Sequence, residues 1–99
     1  MELGLKGKVA AITGGSEGIG RATALRLAAE GAKVAICARR KDVLEATARE
    51  IKDRTGADVL TVVADAAQAA DMPRFVDEVV RHFGRIDVLV NNAGGTGQS

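Results

Sequence analysis

Residues 13–20 read TGGSEGIG, between the apolar run Val9, Ala10, Ala11, Ile12 and a helical pattern that opens at Ile19. A short apolar run that ends in clustered glycines and passes straight into an amphipathic helix predicts strand, tight turn, helix. Glycines serve such a turn in two ways: they reach positive φ, and they carry no Cβ that would hold an anion away from the backbone amides. The unpaired amides and the positive dipole end of the following helix then attract negative charge. The segment therefore predicts a phosphate cradle, with an ordinary βα turn as the plain alternative.

From the cradle the chain reads in order. Residues 1–7 form a polar lead-in, and Lys8–Thr13 is the first strand. A helix follows over about Gly18–Glu30, with Ile19, Ala22, Leu25, Ala28 and Ala29 on its apolar stripe and Gly31 as its stop. Lys33–Ala38 is a second strand, too apolar to alternate, as suits a strand covered on both faces. The second helix spans about Asp42–Arg54, with Leu44, Ala48, Ile51 and Thr55 at helical spacing, Asp42 and Glu45 spaced as a capping pair, and Gly56 at its end. Asp58–Ala64 is the third strand. Met72, Phe75, Val76, Val79 and Phe83 give a clear third helical stripe, with Pro73 confined to its first turn and Gly84 ending it. Ile86–Val90 is the fourth strand, leaving through Asn91, Asn92, Ala93, Gly94 and Gly95.

This βαβαβαβ order predicts an α/β fold: a doubly wound parallel sheet of the Rossmann type with four strands, forming one partial domain over residues 1–99. In such a sheet all strand exits share one edge, and ligands bind outside the carboxyl ends of the strands. The four exits are the cradle, the cluster Arg39, Arg40, Lys41, then Asp65, and the Asn91 segment. The basic cluster stands before a helix N-terminus, where the dipole disfavours cations, so a negative group is wanted there. In a dinucleotide site this exit approaches the adenosine ribose, and arginine suits a 2′-phosphate where an acid would suit a free 2′-hydroxyl. Arg39 thus points to NADP, with NAD as the alternative because Glu17 brings a carboxylate into the cradle. The other reading of the cluster is a solvated run paired with Asp42 or Glu45. Asp65 either accepts from an adenine amino group or caps the next helix. Asn91 and Asn92 offer amides that bind a ribose or tie neighbouring strand exits together.

Composition removes several other classes. Lys and Arg number 14 against 13 Asp and Glu, and the aromatic residues are Phe75 and Phe83 alone, so neither a basic face nor a stacking platform points to nucleic acid. The N-terminus lacks an apolar leader and no run approaches the ~20 apolar residues of a membrane span, which points to a cytoplasmic protein. Cys37, between Ile36 and Ala38, reads as a small buried hydrophobe, and one Cys with one His assembles no typical metal site. His82 ends the third helix and so falls on the sheet edge opposite the cradle, as do Lys6, Lys8, Lys33, Lys52 and Asp87.

TGGSEGIG at 13–20, the Asp65 exit, and NNAG at 91–94 after IDVLV resemble the N-terminal half of the short-chain dehydrogenase/reductase superfamily, in its TGxxxGxG branch. The resemblance runs from about Leu5 to Gly95. It implies that Gly14, Ser16, Gly18, Ile19 and Gly20 surround a pyrophosphate and adenosine ribose. It further implies that Arg39 meets a 2′-phosphate, Asp65 the adenine, and Asn91, Ala93 and Gly94 the ribose side of the nicotinamide cofactor. The family's hydride transfer between nicotinamide and a carbonyl or alcohol substrate uses a tyrosine and a lysine four residues later, and this chain contains no tyrosine. The expectation is an NAD(P)-dependent oxidoreductase represented by its cofactor-binding part, with no catalytic residue of its own and substrate bound only in a longer protein. The alternative is a non-catalytic dinucleotide-binding or interaction module. Without neighbours on both sides, the run Ile86, Val88, Leu89, Val90 is expected to leave an exposed edge through which the chain self-associates.

Overall fold

The computed structural model describes residues 4–92. Its elements are β1 (Val9–Thr13), α1 (Gly18–Ala29), β2 (Lys33–Ala38), α2 (Lys41–Thr55), β3 (Val59–Val63), α3 (Asp71–Phe83) and β4 (Val88–Asn91). The strands form one parallel sheet in the order β3-β2-β1-β4. Every side chain of β1 is buried, because β1 has a strand on each side and helices over both faces.

Strand alternation sends successive residues into two separate cores. Val9, Ala11, Ala35, Cys37, Val62 and Ala64 face α3, which contributes Phe75 and Val79, with Met72 and Phe83 packed at the margin. Ala10, Ile12, Val34 and Ile36 face the other way, against Ala24 and Ala28 of α1 and Leu44 and Ile51 of α2. The result is three layers, with α3 on one face and α1 and α2 on the other. Small residues line the buried side of α1, Gly20, Ala24 and Ala28, which lets this helix lie close to the sheet.

Three expectations need correction. The stripe of α1 is Gly20, Ala24 and Ala28 and excludes Ile19, which is 78% exposed, and Ala22 and Ala29, which also face outward. Apolar spacing cannot separate a core-facing isoleucine from one at the mouth of a cleft. No side chain caps α2: the N-cap position is Arg40, Asp42 pairs with Arg40 at 3.2 Å, and Glu45 accepts from the Thr61 hydroxyl at 3.0 Å. β4 begins two residues later than the apolar run, because Asp87 is engaged at the start of β1. Its amide donates to the Val9 carbonyl at 2.8 Å, and its Oδ2 accepts from the Val9 amide at 2.9 Å.

The helix stops behave as expected. α1 closes with Ala32 N–H bonded to the Leu27 carbonyl and Gly31 N–H to that of Ala28, the paired bonds of a Schellman end, and Gly56 and Gly84 end α2 and α3 in left-handed conformation. Among the described residues no helix is long and apolar enough to cross a membrane.

Candidate functional site: a cleft at the strand tips

The C-terminal tips of β1, β2 and β4 surround a cleft of about 500 Å³. It is lined by Gly14, Ser16, Glu17, Gly18, Ile19 and Gly20 from the glycine turn and first turn of α1, by Ala38, Arg39, Arg40 and Val43 at the β2–α2 junction, and by Asn92 after β4.

Backbone bonds hold the turn in place. Gly14 N–H and Gly15 N–H both donate to the Cys37 carbonyl, at 3.0 and 3.3 Å, fastening the turn to the tip of β2. A Cβ on Gly20 would stand 2.1 Å from the Gly14 carbonyl oxygen and 2.9 Å from Asn92 Nδ2, so only glycine lets α1 rise directly out of the turn. Gly18 differs: its φ is +57° and the space where a side chain would go is open within 4 Å, so the backbone itself forms the wall of the cleft. α1 has no side-chain cap and no acidic residue in its first turn. Its dipole end therefore opens toward the cleft, where Glu17 holds the N-cap position but bonds none of the helix's free amides through its side chain.

On the opposite wall, Arg40 is paired with Asp42, whereas Arg39 has no hydrogen bond or ion pair among the described residues. The Val43 amide, followed by the Arg40 guanidinium, holds the Asp42 carboxyl below its usual range. Burial pushes the Cys37 thiol up, which keeps it protonated and inert in the core beneath the cleft.

Of the residues singled out from the sequence, Gly14, Ser16, Gly18, Ile19, Gly20 and Arg39 come together here. Asp65 and Asn91 do not line the cleft. The Asp65 carboxylate accepts from the Ala67 amide at 2.9 Å and so serves the turn after β3, while its own amide donates to Asp71 at 2.7 Å. The Thr13 hydroxyl donates to Asn91 Oδ1 at 3.1 Å and accepts from the Asn92 amide at 2.8 Å, tying the tips of β1 and β4. Ala93 and Gly94 lie outside the described residues. His82 sits at the far end of α3, edge-on to Phe83, on the opposite side of the sheet. The side chains of Thr13, Val43 and Thr47 have roles here that the motif TGGSEGIG and the basic cluster do not assign. Only Thr13 carried a signal, a hydroxyl at the last buried position of a strand.

The sequence model of the family described as "short chain dehydrogenase" matches residues 8–99. The chain belongs to that family. Short-chain dehydrogenase relatives include the 11-beta-hydroxysteroid dehydrogenase-like 2 protein of Arabidopsis thaliana, 46% identical over 88 residues, which cover 89% of this chain and 29% of that protein. Among solved structures, L-sorbose reductase from Gluconobacter frateurii, complexed with NADPH and L-sorbose, superposes with a TM-score of 0.91 at 46% identity over 95% of this chain and 36% of that one. An NAD+-bound xylitol dehydrogenase gives a TM-score of 0.81 at 38% identity over 86% and 32%. The chain spans about a third of the length of these short-chain dehydrogenase relatives.

Proposed function

We propose that the cleft holds the adenosine and phosphate portion of a nicotinamide dinucleotide, NADP in preference to NAD. In this reading the chain is the cofactor-binding portion, one partial domain over residues 1–99, of an oxidoreductase acting on carbonyl or alcohol substrates. The observation that carries the proposal is the pairing, across one cleft, of an uncapped helix N-terminus with an arginine that has no hydrogen bond or ion pair among the described residues. The first attracts a pyrophosphate, and the second attracts the additional phosphate that separates NADP from NAD.

Each lining group has a part in this reading. Gly18 lets the phosphates approach the main chain, and Gly20 lets α1 rise out of the turn so that its N-terminus faces them. Arg39 reaches a 2′-phosphate, while Glu17, on the same cleft, opposes it and keeps the preference moderate. Ile19, exposed at the mouth, offers apolar contact to a sugar or base. Asn92 contributes at the β4 tip, and the segment running on through Ala93 and Gly94 is assigned to the cofactor's ribose by the family resemblance. Asp65, through its position at the β3 exit, is assigned to the adenine on the same ground.

When bound, the nicotinamide would supply the hydride or accept it. The residues of this chain bind and orient; none is assigned to move the substrate proton. The chain has no tyrosine, and its histidine lies on the far side of the sheet. The substrate and the proton-transfer groups are accordingly assigned to polypeptide of the longer protein. The outer edge of β4, with Leu89 56% exposed, is proposed as a surface through which the isolated chain self-associates.

Titration calorimetry with NADP, NAD and 2′,5′-ADP tests the cofactor reading. Binding of 2′,5′-ADP and NADP about tenfold tighter than NAD is expected, corresponding to one charge-assisted contact. Absence of heat with all three nucleotides would refute it, and a preference for NAD would remove the role given to Arg39.

A further inference from the structure

The buried face of α2 carries one hydroxyl among aliphatic side chains. Thr47 is 5% exposed and lies between Leu44 and Ile51, where helical spacing calls for another apolar residue. A threonine inside a helix commonly returns its hydroxyl to the carbonyl four residues back. Thr55, on the same helix, does this with Ile51 at 2.6 Å. Thr47 instead reaches out of its helix and donates to the carbonyl of Ser16 at 3.0 Å.

That carbonyl occupies a sensitive place. Ser16 lines the cleft, and the next carbonyl, of Glu17, is already committed to α1 through the Arg21 amide at 3.2 Å. A carbonyl oxygen turned into the cleft would repel an anion. In a planar trans peptide, holding Ser16 O toward α2 also fixes the Glu17 N–H in the opposite direction. Outside this contact, Glu50 of α2 pairs with Arg21 of α1, with Nε to Oε1 at 2.9 Å, and with Arg54 of its own helix at 2.9 Å. α2 thus grips the glycine turn on its inner side and α1 on its outer side.

We propose that Thr47 is a positioning residue for nucleotide binding: its hydroxyl orients the Ser16–Glu17 peptide so that the Ser16 carbonyl is turned away from the phosphates. The inference rests on the cofactor reading above. It makes nucleotide affinity depend on a side chain that is buried in α2 and does not line the cleft.

The test compares the unsubstituted chain with Thr47→Val, which keeps the shape and removes the hydroxyl, and Thr47→Ser, which keeps the hydroxyl. Calorimetry with 2′,5′-ADP and NADP well below the melting temperature is paired with thermal melts. Thr47→Val is expected to raise Kd about tenfold, the size of one lost hydrogen bond, while Thr47→Ser stays within about twofold of the unsubstituted chain. A purely structural role lowers Tm and leaves Kd alone. Equal Kd for Thr47→Val and the unsubstituted chain, or equal weakening by Val and Ser, overturns the inference. If Thr47→Val yields no folded protein, amide exchange in the unsubstituted chain decides: 2′,5′-ADP should slow exchange in α2 around Thr47, and protection confined to α1 overturns the proposal. Absence of binding by the unsubstituted chain removes the cofactor reading itself, and this inference with it.

Discussion

Gly18 and Gly20 stand two residues apart yet are glycine for different reasons, and substitution separates them. Gly20→Ala drives a Cβ into the Gly14 carbonyl oxygen, with no flexible side chain to yield, and should cost roughly 2–3 kcal/mol of stability by overpacking. Gly18→Ala meets no atom within 4 Å and carries only left-handed strain, about 1 kcal/mol. Urea unfolding of the two variants checks the order; equal losses would mean that α1 can shift to make room. These glycines were legible because their steric demand is local to the TGGSEGIG segment. Arg39 was legible for a similar reason, as a cation placed where the dipole of the next helix disfavours one. Thr47 was not, since the meaning of its hydroxyl depends on which turn packs above α2, and that is fixed only by the fold. Ile19 shows the converse: it fits the apolar period of α1, yet the period wraps far enough to reach the cleft mouth.

Among elements, β4 carries the most direct prediction. It pairs with β1 on one side, its outer edge is open among the described residues, and Leu89 on it is 56% exposed. Its nearest charges, Arg85 and Asp87, bond to each other before the strand begins. The isolated chain should therefore associate at tens of micromolar in sedimentation, and Leu89→Lys should shift it toward monomer by placing a charge beside the unpaired backbone. An unsubstituted chain that sediments as a monomer would argue against this. The other edge strand, β3, is better guarded, because Arg74 donates to the Val63 carbonyl at 2.7 Å. Element type and order were readable from apolar runs and glycine stops. The start of β4 and the cap of α2 were not, because each is decided by a carboxylate whose partner lies elsewhere: Asp87 on Val9, and Glu45 on Thr61.

For the whole molecule, three carboxylates held below their usual range link stability to acid pH. Arg85, then the Val9 amide, hold Asp87 below its usual range; Arg21, then Arg54, do so for Glu50; and the Val43 amide, then Arg40, for Asp42. A carboxyl whose folded pKa is lowered binds fewer protons folded than unfolded, so its contribution is complete above the unfolded pKa and is lost as pH falls through the folded one. Urea midpoints should hold steady above about pH 5 and decline below it. Asp87→Asn should make that decline shallower, and an unchanged acid limb would show that Asp87 is not linked to folding. The parallel topology that gathers these elements was foreseeable from the alternation of strands and helices, whereas the strand order had to be seen. That order has a consequence for synthesis on the ribosome. β1 finds β2 soon after both emerge, but its other flank, where Thr13 meets Asn91, waits for residues 78 positions later. Until then β1, the strand that ends up buried throughout, lies half-covered, so this sequence should fold late, depend on chaperones during translation, and gain native structure in one step when β4 arrives.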